Sequence, residues 1–322
     1  MPDATRSRAG SEAESAAIDG SGKRLVVMNP TSGDGGHAEA VRRLADERGF
    51  SVVETERAGH AVDLARSAAT DGVDLVAACG GDGTVHEVVR GLVDADALES
   101  VSLAVIPAGT ANIYAEGLGI DTLEEGFAAA ERGAVRRLDV GTAGDEPFVM
   151  SAIAGLPAEA SEAATESQKA RFGSFSFVLE GLRSTREFNG VEVAVEADAD
   201  DGSYVWRGEA LCLVIGVLRR FTGANEPSNA ERGRLEVMIV DRVPPTDALA
   251  DVVKRRFLDR AGENSCVTTI EARDLEIVAL EDEPVRFSLD GEIRSYEALE
   301  IGIRPGALRV CVGEEYAGRS KS

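Results

Sequence analysis

The chain has 322 residues, of which 43% are hydrophobic, and this is enough for two domains with a substantial core. The formal net charge of −23 argues against nucleic acid as a partner, because binding to phosphates requires a basic protein face. An acidic excess with very few lysines is typical of proteins from a salt-rich cytoplasm, where electrostatic interactions are screened over short distances.

The first part of the chain predicts an α/β domain. Residues 1–22 are small and polar, lack the apolar centre of a signal peptide, and indicate a disordered acidic tail. Over residues 23–141, short apolar strands alternate with helical stretches, which predicts a doubly wound domain on a parallel sheet. The expected strands are 24–28, 51–55, 74–79, 102–106 and 135–141, and the expected helices are 37–49, 60–71, 84–94, 110–118 and 122–132.

Residues 142–315 predict a second, β-rich domain, which we interpret as a β-sandwich. Turn signals such as Asp201-Gly202 and Asp290-Gly291 separate the strand-like runs. The expected strands are 147–153, 191–197, 204–216, 234–241, 266–271, 274–280, 285–289, 298–303 and 308–312. Helices are expected at 158–169, 173–187 and 246–260.

The cysteines and the apolar stretches both favour a cytoplasmic protein. The four cysteines lie far apart without metal-binding or redox spacing, which fits a reducing compartment. No apolar stretch approaches the ~18 residues of a membrane-spanning helix, so contact with a membrane would be peripheral.

Three of the predicted parallel strands end in small, polar or glycine-rich turns, at residues 29–36, 79–84 and 107–112. Because ligands of open parallel sheets bind beyond the carboxyl ends of the strands, we expect these turns to meet at one edge. The second turn (CGGDGT) also opens a helix, whose N–H groups and dipole attract anions. One such turn alone is equally compatible with a tight strand-to-helix connection, whereas three together favour a phosphate site.

The motifs in these turns carry a family resemblance. Segments 29–33 (NPTSG), 80–84 (GGDGT) and 107–112 (PAGTAN) occur in the order and at the intervals of the diacylglycerol kinase and sphingosine kinase superfamily. Segments 169–182 and 288–292 (SLDGE) resemble later motifs of the same family. The GGDGT turn alone is shared with NAD kinases, whereas the ordered set is more specific to soluble lipid kinases of the bacterial type.

The resemblance implies a nucleotide-binding α/β domain, a β-sandwich domain for the lipid, and transfer of the γ-phosphoryl group of ATP to a lipid hydroxyl. The implied cofactors are ATP and Mg²⁺, and the implied acceptor is a diacylglycerol-like, dialkylglycerol or sphingoid lipid. Such a substrate entails transient contact with a membrane surface, and an oligomer is left open. The implied nucleotide-binding residues are Asn29, Ser32, Thr55, Gly80, Gly81, Gly83, Thr84, Gly109, Thr110 and Asn112.

The resemblance also implies catalytic acids. Glu292 matches a proton acceptor and Asp82 an organiser of the phosphates and Mg²⁺, although the two roles can be exchanged. We therefore expect Asp82→Ala to abolish turnover while the fold survives. Asp139 resembles a third functional acid, but a turn residue at the end of a strand explains it nearly as well.

One position departs from the family pattern. Many relatives have an Asp of a structural Mg²⁺ site where this chain has Arg232. Because arginine cannot ligate Mg²⁺, we expect that second site to be absent or to use Glu231 instead.

Two other functions stay open at this point. An NAD kinase would share the GGDGT turn, but the later glycine and threonine motifs expected for NAD binding are not present. A non-catalytic lipid- or nucleotide-binding regulator would fit the altered metal segment, whereas the presence of Asp82 and Glu292 weighs against it. The histidines, His37, His60 and His86, lack metal-ligand spacing and are expected to be solvated or to cap helices.

Overall fold

The computed structural model describes residues 22–155, 190–199, 202–218, 230–241 and 267–316. The helices expected at 158–169, 173–187 and 246–260, and the motif at 169–182, lie outside the described residues. The helices that the structure describes are α1 (Ala38–Arg48), α2 (His60–Thr70), α3 (Asp82–Asp94), α4 (Ile113–Gly117) and α5 (Leu123–Arg132).

Fourteen strands are present in the same part of the chain. The first seven are β1 (Arg24–Met28), β2 (Ser51–Glu54), β3 (Leu75–Gly80), β4 (Ser102–Pro107), β5 (Ala134–Ala143), β6 (Glu146–Phe148) and β7 (Ser151–Gly155). The others are β8 (Val191–Ala199), β9 (Gly202–Gly216), β10 (Leu235–Asp241), β11 (Val267–Ala279), β12 (Val285–Leu289), β13 (Glu292–Tyr296) and β14 (Ala298–Val312).

The N-terminal part is the predicted doubly wound α/β domain. Its parallel strands lie in the order β2-β1-β3-β4. Every residue of β3 and β4 is buried, as expected for strands with both faces covered by helices. From β1 the chain adds β2 on one side of the sheet and then returns to add β3 and β4 on the other side, so the strand order switches between β1 and β3. Open α/β sheets form their ligand crevices at such a switch point.

The C-terminal part is the predicted β domain. Its strands pair antiparallel in the order β13-β12-β7-β9-β10-β11-β14, and β8 bridges β9 and β11. The long strand β9 pairs with β8 along its first half and with β7 and β10 along its second half. Long strands that change partners in this way are typical of packed sheets with shared corners.

Strand β14 joins the two parts. It pairs antiparallel with β5 and parallel with β4. The parallel sheet of the α/β domain and the strands of the β domain are therefore connected by main-chain hydrogen bonds. A single cluster of buried apolar side chains also runs through both parts. The relative position of the two parts is therefore set by main-chain pairing as well as by packing.

Two expected strand breaks are bulges within continuous strands. The register of β11 shifts between Ala272 and Leu275, and that of β14 shifts between Arg304 and Leu308. A bulge interrupts the alternation of side chains without ending the pairing, so the sequence pattern resembled two strands in each case.

The strand expected at 147–153 is divided into β6 and β7. The N–H groups of Val149 and Met150 turn towards the carboxylate of Asp290 instead of continuing a ladder. Strand β13 was not predicted, and it pairs with β12 across a two-residue turn. Both turn residues, Asp290 (φ 48°) and Gly291 (φ 101°), have the positive φ that such tight hairpins require.

Helix boundaries also differ near the glycine turns. Helix α3 begins at Asp82, two residues earlier than expected, and α4 begins at Ile113 instead of residue 110. Asn112 has a left-handed conformation (φ 53°), which keeps the preceding residues out of the helix. In the described part of the chain, no helix combines the length and the apolar character needed to span a bilayer.

Candidate active site

The three turns meet at the carboxyl edge of the parallel sheet, as expected. Ser32 Oγ lies 3.1 Å from the carbonyl oxygen of Ala108, which connects the first turn to the third. A Cβ atom on Gly109 would lie 2.9 Å from the main-chain nitrogen of Gly81, so the second and third turns are pressed together as well. Thr55 directly follows β2 beside the first turn, and its N–H donates to the carbonyl of Met28 over 2.8 Å.

Gly80 and Gly83 of the second turn are glycines for different structural reasons. A Cβ on Gly80 would collide with the side chain of Thr84, so internal packing explains this glycine. By contrast, a Cβ on Gly83 would meet nothing within 4 Å, and its φ lies outside the left-handed region. Helix α3 starts at this turn without a side-chain cap. The N–H of Thr84 donates to the carbonyl of Gly81 over 2.9 Å, so the N–H groups before Thr84 are the ones that can contact an anion.

Some predicted nucleotide contacts have structural partners. The Oδ1 of Asn29 accepts from the N–H and hydroxyl of Thr31 at 3.1 and 3.0 Å. The amide of Asn112 both accepts from and donates to the main chain of Gly109, each over 2.9 Å. These side chains therefore shape the turns, whereas Thr110 is exposed at the edge of the site.

Asp82 connects the second turn to helix α4. Its two carboxylate oxygens accept the N–H groups of Ile113 (3.1 Å) and Tyr114 (2.9 Å), the first residues of that helix. Burial raises the pKa of Asp82, although these two hydrogen bonds act in the opposite direction. Asp82 thus acts as the N-terminal cap of α4 and holds the second and third turns together.

A buried histidine and aspartate connect α3 to the β domain. His86 Nδ1 lies 3.2 Å from Oδ2 of Asp290, and the two side chains are 3% and 0% exposed. The carboxylate of Asp290 also accepts three consecutive main-chain N–H groups, those of residues 149–151, at 2.7 to 2.9 Å. The expectation that His86 is solvated or caps a helix is therefore wrong, because it pairs inside the protein.

The other two histidines lie at helix starts and are half-buried, and neither caps its helix through the side chain as expected. His60 Nδ1 lies 3.1 Å from the main-chain nitrogen of Glu56, and His37 Nε2 lies 3.0 Å from the carbonyl oxygen of Asn29. Neither contact places an imidazole at the junction between α3 and the β domain.

Glu292 lies at the start of β13, at the rim of this junction. Its side chain is 49% exposed, and its Oε2 is 3.8 Å from Arg294. Arg294 lies 3.6 Å from Glu146, which in turn pairs with Arg90 of α3 at 3.2 Å. Burial lowers the pKa of His86, the residue one turn after Asp82, but the hydrogen bond and charge of Asp290, followed by the charge of Glu292, raise it overall. The structure thus places Glu292 on the α3 side of the β domain.

Asp139 is held by different segments of the chain. Its carboxylate accepts the N–H of Gly233 (2.6 Å) and of Gly306 (2.8 Å), and its own N–H donates to Ala230 over 2.6 Å. Burial raises its pKa, and the hydrogen bonds from the two glycines oppose this effect. These partners belong to the β domain and not to the three turns.

The residues around Asp139 do not fit a structural Mg²⁺ site. Both oxygens of its carboxylate accept main-chain N–H groups, and Arg232 extends to Glu271 at 3.3 Å. Among the described residues, no three or more His, Cys, Asp and Glu side chains are grouped so that they could hold a metal ion. The main-chain clamp at Asp139 joins β5 to its neighbours without a metal ligand set.

We expect Asp139→Asn to lower the free energy of unfolding by about 2–4 kcal/mol, because its amide cannot accept both glycine N–H groups as the buried carboxylate does. At saturating substrates, kcat should stay close to that of the wild type. Denaturant unfolding and initial rates of the same preparation check this, with the exposed Asp198→Asn as a control for loss of charge. A variant of unchanged stability that has lost turnover would instead support a catalytic role for Asp139.

Sequence reasoning missed several residues of the site. His86 and Arg90 follow Asp82 at intervals of four, which places all three on one face of a helix. That spacing could have indicated that His86 and Arg90 lie on the same helix face as Asp82. Asp290 was interpreted only as a turn residue, and no local pattern indicates that its carboxylate binds residues about 140 positions earlier in the chain.

Comparisons with known proteins show which family this chain is similar to. The family model of the diacylglycerol kinase catalytic domain matches residues 23–143. The resemblance to the diacylglycerol kinase family is confirmed. The chain is 28% identical to the diacylglycerol kinase of Bacillus subtilis strain 168 over 279 residues, which cover 83% of this chain and 88% of that protein. It is 27% identical to lipid kinase YegS of Escherichia coli K12 over 294 residues, covering 88% of this chain and 94% of that protein.

The fold is also similar to the folds of solved structures. A diacylglycerol kinase structure from Bacillus anthracis strain Sterne superposes with a TM-score of 0.68 over 92% of this chain and 98% of its own. At 20% identity this is a likeness of fold, and it supports the combination of an α/β domain with a β domain. The family implies ATP use and usually a divalent metal.

Proposed function

We propose that the protein is an ATP-dependent lipid kinase that transfers the γ-phosphoryl group to the hydroxyl of a diacylglycerol-like lipid. The observation that most supports this is the arrangement of α3. Its uncapped N-terminus lies in the glycine turn, and its following turns contact the hairpin that carries Glu292. Phosphoryl transfer depends mainly on alignment and charge stabilisation, which this arrangement can supply.

The geometry favours one division of roles between the two acids. Both oxygens of Asp82 accept N–H groups of α4, whereas the carboxylate of Glu292 is half exposed. We therefore assign Glu292 as the base and Asp82 as the organiser of the phosphate-binding turns. In the reaction, the lipid oxygen bonds to the γ-phosphorus, the bond from that phosphorus to the ADP oxygen breaks, and Glu292 takes the hydroxyl proton.

ATP fits the glycine turn, where it would supply the transferable phosphoryl group. Mg²⁺ would enter with the nucleotide, since the described residues do not form a metal site of their own. The open space at Gly83, the first N–H groups of α3 and the exposed Thr110 are the features that would contact the phosphates.

The structure allows a sharp test of this phosphate site. Gly83→Ala is expected to weaken ATP binding at least about tenfold, because a methyl group would occupy the space that the phosphates approach. Its free energy of unfolding should stay the same or rise by up to about 0.5 kcal/mol, since alanine favours the helix. Calorimetric titration with ATP and denaturant unfolding measure the two effects.

Gly80→Ala is the matched control, since its Cβ collides with Thr84 in the absence of any ligand. This variant should lose stability as well as affinity. Wild-type affinity in Gly83→Ala would show that the phosphates do not bind at this turn.

One assay separates the candidate functions. Pure protein is incubated at high salt with Mg²⁺ and γ-labelled ATP, and diacylglycerol, a dialkylglycerol, a long-chain base and NAD are offered in parallel. We expect label in a glycerolipid. Label in NAD would reject the lipid kinase, and binding of ATP without label in any acceptor would support a non-catalytic regulator.

We also propose the cellular setting that such a reaction requires. Residues 23–141 would bind the nucleotide and residues 142–315 the lipid, in a cytoplasmic protein that contacts the membrane surface transiently. The net charge of −23 supports a salt-rich interior, and the assay is therefore run at high salt.

A further inference from the structure

The tip of the β12–β13 hairpin is fixed to the segment between β6 and β7. The carboxylate of Asp290 accepts the N–H groups of residues 149–151, and its own N–H donates to the carbonyl of Ser151 over 2.9 Å. This carboxylate is completely buried. The hairpin and the β6–β7 segment therefore form one unit within the β domain, and Glu292 belongs to that unit.

His86 connects this unit to α3. Its Nδ1 lies 3.2 Å from Asp290 Oδ2, and its side chain is 3% exposed. Four residues before His86 on the same helix face, Asp82 caps α4 and holds the phosphate-binding turns together. The contact thus joins the nucleotide end of the protein to the strand pair that carries the proposed base.

A second, outer contact lies one turn further along α3. Arg90 pairs with Glu146 at 3.2 Å, and Glu146 also lies 3.6 Å from Arg294 of β13. The side chain of Arg90 is 37% exposed, so solvent screens this pair much more than the buried one. The buried contact at His86 is therefore the stronger constraint on the hairpin.

Charges from several elements surround the imidazole. Burial by itself lowers the pKa of His86, but the hydrogen bond and charge of Asp290, followed by the charges of Glu292 and Glu146, raise it overall. In the described part of the chain, this junction also contains Asp82 and Arg90 of α3, Tyr114 of α4, and Arg294 and Tyr296 of β13. Among these described groups the carboxylates outnumber the cations, which favours the charged imidazolium.

We propose that His86 is a positioning residue, which acts through Asp290 to hold Glu292 in register with the phosphate-binding end of α3. This inference rests on the proposed kinase function and adds a residue to it. A displacement of about 1 Å between a base and its reacting partner can reduce turnover about a hundredfold, so a contact that fixes this distance affects catalysis directly.

The charge of His86 gives the contact a pH dependence. Because the pKa of His86 in the folded protein is raised above its ordinary value of 6.5, its contribution to stability is fully present below that value. The contribution is lost as the pH rises through the folded pKa. The neutral imidazole still donates through Nδ1, so only the ionic part of the contact disappears. We therefore expect kcat to decline over the same interval.

Two substitutions separate hydrogen bonding from charge. His86→Asn places an amide N–H near the position of Nδ1 and should keep kcat within about threefold of the wild type, without the decline at high pH. His86→Leu fills the space but leaves Asp290 without this donor. It should lower kcat about 10- to 100-fold, with little change in the KM for ATP.

Glu87→Gln is the control for a general loss of stability in α3. Glu87 contacts α2 instead of the β domain, since its carboxylate accepts the N–H groups of Gly59 and Ala61 at the start of α2. This variant should lose stability while keeping the wild-type pH profile of kcat.

The contact can also be measured without turnover. The chain contains three histidines, so imidazole NMR signals are few, and the signal missing from His86→Asn identifies His86. That signal should titrate above pH 6.5 in the wild type. Hydrogen exchange provides a second measurement. The main-chain N–H groups of the β12–β13 hairpin should exchange faster in Asp290→Asn and in His86→Leu than in the wild type.

The outcomes distinguish the two proposals. A wild-type protein that phosphorylates no lipid would overturn the proposed function and the positioning role with it. An active wild type, together with a His86→Leu variant of unchanged kcat and pH profile, would overturn the positioning role alone. Equal effects of His86→Leu and Glu87→Gln on kcat would also overturn it, because they would trace the loss to helix stability.

Discussion

Asp82→Ala is expected to reduce phosphoryl transfer below detection and to lower the free energy of unfolding by about 2 kcal/mol. Both effects have the same origin, because the carboxylate caps the first two N–H groups of α4 and thereby holds together the turns that we propose to bind the phosphates. The expectation from sequence alone was a loss of turnover with the fold intact. The structure adds a cost in stability that has to be measured alongside the rate.

The matched control for this variant is Glu87→Ala. It removes a carboxylate that also accepts two main-chain N–H groups, at the start of α2. Both variants should therefore lose similar stability in denaturant unfolding, whereas only Asp82→Ala should lose transfer of label from γ-labelled ATP. Wild-type turnover in Asp82→Ala, or equal loss of turnover in both variants, would contradict the assigned role of Asp82.

Glu292→Gln is expected to lower kcat about 10²- to 10⁴-fold, which is the usual contribution of a general base. Its stability should hardly change, since the side chain is half exposed and its ion pair with Arg294 is 3.8 Å long. The KM for ATP should also stay the same, because glutamine preserves the shape of the side chain. Initial rates at saturating lipid, combined with thermal unfolding, check all three expectations.

Glu297→Gln is a suitable control at the other end of β13. Glu297 is exposed and follows β13 directly, so this variant removes the same charge without touching the start of the strand. If Glu292→Gln and Glu297→Gln had the same kcat, the base would have to be sought elsewhere. Asp82 would then be the next candidate, since the two roles can be exchanged.

Local sequence patterns carried most of the information about the N-terminal part. The buried runs of β3 and β4, the helical stripes and the glycine turns have fixed periods, so their order and their common edge could be predicted. Element ends were less certain, because they depend on single conformations such as the left-handed Asn112 before α4. In the β domain, the bulges in β11 and β14 concealed the continuity of both strands.

The roles of the acids were harder to predict for a different reason. A carboxylate that binds substrate and one that binds main-chain N–H groups have the same sequence signature. Asp82, Asp139 and Asp290 each accept two or more N–H groups from segments far away in the chain. No periodicity records such contacts, so they become visible only when the chain is folded.

The sequence by itself determined the alternation of strands and helices, the three turns at one sheet edge, and the resemblance to diacylglycerol kinases, because these depend on local conformation and on motif order. The tertiary structure decided that His86 is buried against Asp290 and that Glu292 lies on the α3 side of the β domain. Such contacts join residues about 200 positions apart, and their energy comes from burial and charge that exist only once both parts have packed together.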